Sequence, residues 1–89
     1  SEQEAKKIAV ESFQKYNKEA IVKNEINLVY ADNKIDKEAS QIYEVCYTVI
    51  IDGKNDKNTN VNWKIFVSAE NGKVLNILKD GAEKDVKTN

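Results

Sequence analysis

The sequence predicts an α+β fold in which one N-terminal helix packs on one face of an antiparallel sheet of about four strands. Two observations support this class. Residues 1–18 repeat apolar side chains at helical spacing, whereas residues 21–30, 41–52 and 60–78 alternate apolar and polar side chains with the period of a strand. An antiparallel sheet can cover one face with a helix and expose the other to water, which fits the alternation.

Length and composition limit the possible functions. The 89 residues suffice for one small domain, which we assign to residues 1–80, and the polar tail at 81–89 is expected to be flexible. With 14 basic and 15 acidic residues, the net charge of -1 creates no field of one sign that would favour nucleic acid. The apolar runs, such as that at 49–51, are too short for a transmembrane segment.

Residues 1–18 are predicted to form an amphipathic helix. Its apolar stripe consists of Ala5, Ile8, Ala9, Phe13, Tyr16 and Ala20. Ser1 and Glu4 have the spacing of a capping box, which would set the start of the helix. Acidic residues near its start and lysines near its end complement the helix dipole.

Three further segments follow before the last hairpin. Residues 21–30 are predicted as the first strand, residues 31–40 as a loop, residues 41–52 as the second strand and residues 53–60 as a polar connection. The first strand places Val22, Ile26, Leu28 and Tyr30 on one face. The second strand turns its wholly apolar or aromatic set towards the helix, namely Tyr43, Val45, Tyr47, Val49 and Ile51.

The last two predicted strands form a closing β-hairpin around an E-N-G turn. A three-residue loop with Gly72 in the left-handed conformation would pair Val67 with Leu75 and Ile65 with Ile77. A two-residue turn would instead place a polar residue opposite Val67. We predict the three-residue loop, because it keeps apolar side chains together on one face.

The sequence identifies no reaction, and we predict a non-enzymatic protein without catalytic residues, metal site or cofactor. The chain has no histidine, which is the usual base that activates a serine or cysteine nucleophile. Asp56 opens a D-K-N-T-N run that resembles a calcium loop, but Val61 and Val67 stand where that loop needs glycine and glutamate. Cys46 lies in the middle of a strand, where an inert thiol is expected.

An apolar strip is predicted on the sheet face opposite the helix, formed by Phe66, Ile42, Cys46 and Ile50. Exposed strips of this kind often mark partner sites, so Phe66, Ile42 and Ile50 are our predicted partner-binding residues. The alternative, to which we give equal weight, is that the long loops fold back and cover the strip. Trp63 is expected in the core, because it belongs to the apolar alternation of its strand.

Three segments of the chain resemble the PepSY domain: S-E-Q-E-A-K-K-I-A-V-E-S at the start, I-Y-E-V-C-Y-T-V in the middle and W-K-I-F-V-S-A-E-N-G-K-V-L near the end. The pattern of that family is a helix opening E-E-A-x-x-I-A, a Tyr-x-Val strand and a closing hairpin x-V-x-V-D-A-x-T-G-x-V-L. The resemblance covers roughly residues 1–78. Ser68 and Asn71 depart from it, and the segments at 31–40 and 53–60 are longer than in the short form of the family.

The resemblance implies a non-enzymatic, exported bacterial domain, extracellular or attached to the cell surface, with any signal sequence or lipid anchor preceding Ser1. Relatives accompany secreted peptidases, including thermolysin-type propeptides, and are thought to restrain them. We therefore predict a module that binds a protein partner and regulates a secreted peptidase. The alternative is a self-associating structural or lipoprotein domain of the cell envelope, a homodimer formed through the same strip. The family supplies no agreed functional residues to transfer.

Overall fold

The computed structural model describes residues 1–23, 26–32 and 43–79. One helix precedes five strands: α1 (Glu2–Gln14), β1 (Asn17–Val22), β2 (Asn27–Asp32), β3 (Tyr43–Asn55), β4 (Asn60–Ser68) and β5 (Val74–Lys79). The predicted α+β class, with an N-terminal helix packed on an antiparallel sheet, is confirmed. Ile42, the tail and most of the loop predicted at 31–40 lie outside the described residues, and the first two residues of that loop belong to β2.

Helix α1 begins at the predicted capping residue and ends earlier than predicted. The hydroxyl of Ser1 accepts a hydrogen bond from the backbone N–H of Glu4 at 3.2 Å, which satisfies one of the free donors of the first turn. At the other end, the carbonyl of Phe13 accepts from the backbone N–H of Tyr16 and from the side-chain amide of Asn17. These bonds close the last turn, and the chain enters β1. Ala20, predicted on the helical stripe, therefore lies in a strand.

The predicted first strand is two strands, β1 and β2, which pair end to end with the same edge of β3. The Lys23 N–H still donates to the carbonyl of Ile50, and Asn27 lies opposite Thr48. Three residues separate Lys23 from Asn27, but only one separates Ile50 from Thr48. The mismatch breaks the ladder, so the sheet has five strands instead of about four. Beyond β3, the strands β4 and β5 follow in chain order.

The core lies between α1 and the sheet. It consists of Ala5, Ala9 and Phe13 from the helix and Val49, Ile51, Trp63, Ile65 and Val67 from β3 and β4. The ring of Phe13 meets Trp63 edge to face, with 5.3 Å between centroids, a favoured aromatic geometry. The prediction that the odd-numbered residues of β3 face the helix is confirmed for Val49 and Ile51.

The connection predicted at residues 53–60 is a much tighter turn, because β3 continues to Asn55 and β4 begins at Asn60. The side-chain oxygen of Asn55 accepts from the backbone N–H groups of Lys57 and Thr59. Asn58 has a φ of 65°, a left-handed conformation that asparagine tolerates better than most residues. Local hydrogen bonds to asparagine thus shorten the loop.

The β4–β5 hairpin confirms part of the predicted register. Gly72 has a positive φ of 74° and Ile65 lies opposite Ile77, as predicted. The predicted pairing of Val67 with Leu75 is wrong, because Val67 lies opposite Val74 and the register shifts before Phe66 meets Asn76. The loop has four residues, closed by the N–H of Ser68 donating to the carbonyl of Lys73. This longer loop requires one extra residue in β5, which is a β-bulge.

Candidate protein-binding site

The apolar strip predicted on the far face of the sheet is partly buried. Phe66 and Ile50 are half-buried on the sheet face away from α1, and Cys46 on that face has no exposed surface. Leu75 is also buried, at 1% exposure, and like Cys46 it lies outside the helix-side core. Cys46, with the half-buried Phe66 and Ile50, forms a small apolar patch on the far face of the sheet. Ile42, the third predicted binding residue, lies outside the described residues, and binding through this strip stays a prediction.

The thiol of Cys46 is poorly suited to chemistry. Burial, and to a smaller extent the charge of Glu44, raises its pKa, so the reactive thiolate is disfavoured. Within residues 1–23, 26–32 and 43–79, no three histidine, cysteine, aspartate or glutamate side chains are placed to hold a metal ion.

A polar row crosses the other end of the same sheet face. Asp52 accepts hydrogen bonds from the side-chain amide of Asn62 at 2.6 Å and from the ammonium of Lys23 at 2.9 Å. These bonds lower the pKa of Asp52. Lys54 in turn donates to the side-chain oxygen of Asn60 at 3.0 Å. A shallow groove of about 380 Å³ lies here, but its polar groups satisfy one another, which is the arrangement of a structural cross-strand row.

The edge of the sheet at β5 offers unpaired backbone groups. In an antiparallel ladder, alternate residues direct their N–H and C=O groups to opposite sides of the strand. Lys73 and Asn76 direct theirs towards β4, so Ile77 directs its groups outwards. The outward N–H of Ile77 donates to the side-chain oxygen of its own neighbour, Asn76, at 2.9 Å. In the part of the chain that the structure describes, no strand pairs with this edge.

The opposite edge of the sheet is irregular. A bulge interrupts β1 between Lys18 and Ile21, and Glu19 within it has a φ of 59°. A second interruption follows Lys23, where β1 gives way to β2. Bulges and charges are common features of edge strands that do not accept another strand. The β5 edge, regular from Asn76 to Lys79, is therefore the better edge for strand addition.

A groove lies between α1 and β5. It is a shallow, open groove of about 510 Å³, lined by Ile8, Glu11, Ser12, Lys15, Tyr16, Val74 and Ile77. The helix packs across β1, β3 and β4, so β5 lies at its flank and the groove opens beside the free strand edge. Ile8 and Ser12 have i, i+4 spacing, which places them on one side of the helix, and Tyr16 follows in the turn after the helix. We call this surface the α1–β5 groove.

One end of the α1–β5 groove is basic and aromatic. The ammonium of Lys79 lies 4.6 Å from the ring centroid of Trp63 and 6.0 Å from that of Tyr16, within the range of a cation–π contact. Lys15 lines the same end, and Tyr16 is 68% exposed. Glu11 is the acidic residue of the lining. The groove thus combines an apolar floor with positive charge at the end of the helix.

Sequence reasoning missed a second apolar surface on β2. Leu28 and Tyr30, predicted together on one face of the first strand, are 58% and 75% exposed although they lie on the same sheet face as α1. The 13 residues of α1 extend about 20 Å, whereas the 13 residues of β3 extend about 40 Å. The helix therefore cannot cover the whole strand. Comparing the two predicted lengths would have indicated this uncovered area.

None of the helices in the part of the chain that the structure describes has the length and apolar character needed to cross a membrane. In comparisons with known proteins, no family model, curated protein or solved structure matches the chain. The PepSY resemblance therefore rests on the sequence motifs alone.

Proposed function

We propose that this chain is a non-enzymatic binding module that holds a protein partner, and that the partner is a secreted peptidase that the module restrains. The observation that carries the proposal is that, within the described residues, no strand pairs with the outer edge of β5, where the N–H of Ile77 donates to the adjacent Asn76 side chain beside an apolar groove. The PepSY-like motifs support the choice of a peptidase as partner and an exported location, extracellular or at the bacterial cell surface.

Strand addition explains how such a site would work. An extended partner segment gains affinity from main-chain hydrogen bonds and selectivity from alternate side chains that enter a neighbouring groove. A segment lying near a peptidase active site would block substrate access when held in this way. The module needs no reactive group for this role, which fits a buried Cys46 with a raised pKa and an Asp52 engaged by two donors.

The proposal is tested by titrating the 89-residue chain against thermolysin-class and other secreted peptidases from the same source. Hydrolysis of a small peptide substrate reports activity, and mass spectrometry of the chain reports its cleavage. We expect saturable loss of activity with the chain intact. Unchanged activity of every peptidase, or rapid cleavage of the folded chain, would contradict the restraining role.

A specific observation favours the alternative of a self-associating envelope domain. Leu28 and Tyr30 leave aromatic and aliphatic surface exposed on β2, and exposed apolar surface often marks an interface. If this alternative holds, sedimentation will show a dimer whose fraction rises with concentration, and Tyr30→Ser will reduce it. A monomer at all concentrations would remove this candidate.

A further inference from the structure

We infer that the ligand of the α1–β5 groove is an extended peptide segment that adds to β5 as a further strand, with apolar side chains at alternate positions and an acidic residue beside Lys15 and Lys79. This inference rests on the proposed function, because it takes binding of a protein partner as its premise. It adds the conformation and the chemical pattern of the segment that is recognised.

The conformation follows from the direction of the free backbone groups. Ile77 and, two residues on, Lys79 direct their N–H and C=O groups away from β4. Their side chains lie on the α1 side of the sheet, because Ile77 is opposite the core residue Ile65 and Lys79 is opposite Trp63. Residues directly opposite each other in a ladder share a face. A residue added opposite Ile77 would therefore point into the α1–β5 groove.

Asn76 occupies the place that the ligand backbone would take. Its side-chain oxygen accepts from the N–H of Ile77 at 2.9 Å, where a carbonyl of an added strand would otherwise accept. This internal bond satisfies the edge while it is unpaired and competes with strand addition. Replacing Asn76 with alanine would remove the competing acceptor, and the net value of one hydrogen bond corresponds to about two- to tenfold tighter binding.

The charge pattern follows from the lysines at one end. Lys15 lines the groove, and the ammonium of Lys79 lies 6.0 Å from the ring of Tyr16, which also lines it. A residue added opposite Lys79 would lie at this lysine-bearing end of the groove. An acidic side chain complements them, whereas a lysine at that position would be repelled. Two residues on, opposite Ile77, the floor of Ile8, Val74 and Ile77 favours an apolar side chain.

The test is fluorescence anisotropy of the 89-residue chain with a labelled probe peptide, D-T-V-T-V-T with an amidated C-terminus. The control probe, K-T-V-T-V-T, reverses the charge at the first position. A third probe carries an N-methyl group on the amide of its first valine, the residue placed opposite Ile77. The methyl group removes one main-chain donor and blocks strand pairing. We expect saturable binding of the first probe, weaker binding of the second and no binding of the third.

Three variants locate the site. Ser12→Phe fills the α1–β5 groove and should abolish probe binding, Asn76→Ala should tighten it about two- to tenfold, and Lys79→Glu should reverse the preference between the two charged probes. Lys6→Glu changes the charge of the same helix on its other flank, beside Val22, and should have no effect. Thermal melting followed by circular dichroism confirms that each variant is folded before its affinity is interpreted.

Several results would overturn the inference. Equal binding of the N-methylated probe would exclude strand pairing, and full affinity of a folded Ser12→Phe would place the site elsewhere. Self-association strengthened by Asn76→Ala, without probe binding, would identify a second copy of this chain as the occupant. The peptidase titration separates the two proposals. If Ser12→Phe still restrains a peptidase, the proposed function stands and this inference fails. If the probe binds as expected but no peptidase is restrained, the inference stands and the peptidase role fails.

Discussion

Replacing Gly53 with alanine tests how closely α1, β1 and β3 pack around this glycine. A Cβ atom at this position would lie 2.5 Å from the backbone oxygen of Lys18 and 2.7 Å from the ring of Phe13. The ring is fully buried and the oxygen belongs to β1, so neither can move without shifting the helix or the strand. Only glycine fits where α1, β1 and β3 meet.

The expected cost of Gly53→Ala is about 3 kcal/mol, the upper part of the usual range for overpacking, because a backbone atom is one of the obstacles. A domain of this length has a total stability of about 4–13 kcal/mol, so the variant should fold but melt about 12–24 °C lower. Urea unfolding followed by the fluorescence of Trp63 measures the free energy directly, since this ring lies beside Phe13.

Two controls separate crowding from backbone strain. Phe13→Leu removes the ring and should reduce the cost of adding Gly53→Ala, which a double-mutant cycle measures. Gly72 has a φ of 74°, and its nearest obstacle is the flexible end of Ile8 at 3.1 Å. Gly72→Ala should therefore cost about 1–2 kcal/mol through its backbone, and Gly72→Asn less. A cost below about 0.5 kcal/mol for Gly53→Ala, the size of an ordinary surface substitution, would refute the close approach.

Three further predictions concern the far face of the sheet. Asp52→Asn should lower the free energy of unfolding at pH 7 by less than about 1 kcal/mol, because the side chain of Asp52 is 38% exposed. Hydrogen bonds from Asn62 and Lys23 hold the pKa of Asp52 below its usual value in the folded chain, so the stabilisation is complete above that usual value and is lost as pH falls through the lowered pKa. The difference in free energy of unfolding between the wild type and Asp52→Asn, measured by urea unfolding, should therefore be smaller at pH 2 than at pH 7, and a difference that stays constant would contradict this. Cys46, buried with a raised pKa, should react with iodoacetamide only at the rate of unfolding, and fast labelling of the native chain would contradict its burial. Phe66→Lys should melt cooperatively and keep the affinity of the probe peptide, because Phe66 faces away from the α1–β5 groove; loss of binding would return the site to the predicted strip of Phe66, Ile42 and Ile50.

Features that depend on residues close together in the sequence were predicted correctly. Ser1 and Glu4 set the start of α1 through contacts within one turn, and the glycine of the E-N-G turn adopts the positive φ that the turn requires. The alternation in β3 placed Val49 and Ile51 in the core. Each of these features depends on residues close together in the chain or on a period of two.

The wrong predictions concern features that depend on contacts between distant parts of the chain. The helix ends before Ala20 although the apolar spacing continues, because the chain must pair with β3. The hydrogen bonds of a four-residue loop place Val74 opposite Val67, and a bulge follows before Phe66 meets Asn76. The alternation of Val67 and Leu75 does not encode this loop. Leu28 and Tyr30 are exposed because α1 is shorter than β3, a comparison between elements instead of a pattern within one.

The candidate site was beyond sequence reasoning for the same reason. The outward direction of the Ile77 N–H depends on the register of β5, which the bulge sets. The α1–β5 groove depends on where the helix crosses the sheet, which brings Ser12 and Ile77 to one cavity from distant parts of the chain. Sequence periodicity identified both elements but could not show that a free strand edge and a helix flank would meet.

Strand addition at β5 is tested most directly by titrating the ¹⁵N-labelled chain with the D-T-V-T-V-T probe and recording the amide chemical shifts. We expect the largest shifts at the N–H groups of Ile77 and Lys79, with smaller ones at Ser12 and Lys15, because a new main-chain hydrogen bond forms at the β5 edge. Largest shifts at Phe66 and Ile50, or at Leu28 and Tyr30, with β5 unchanged, would contradict it and assign binding to one of the other two apolar surfaces.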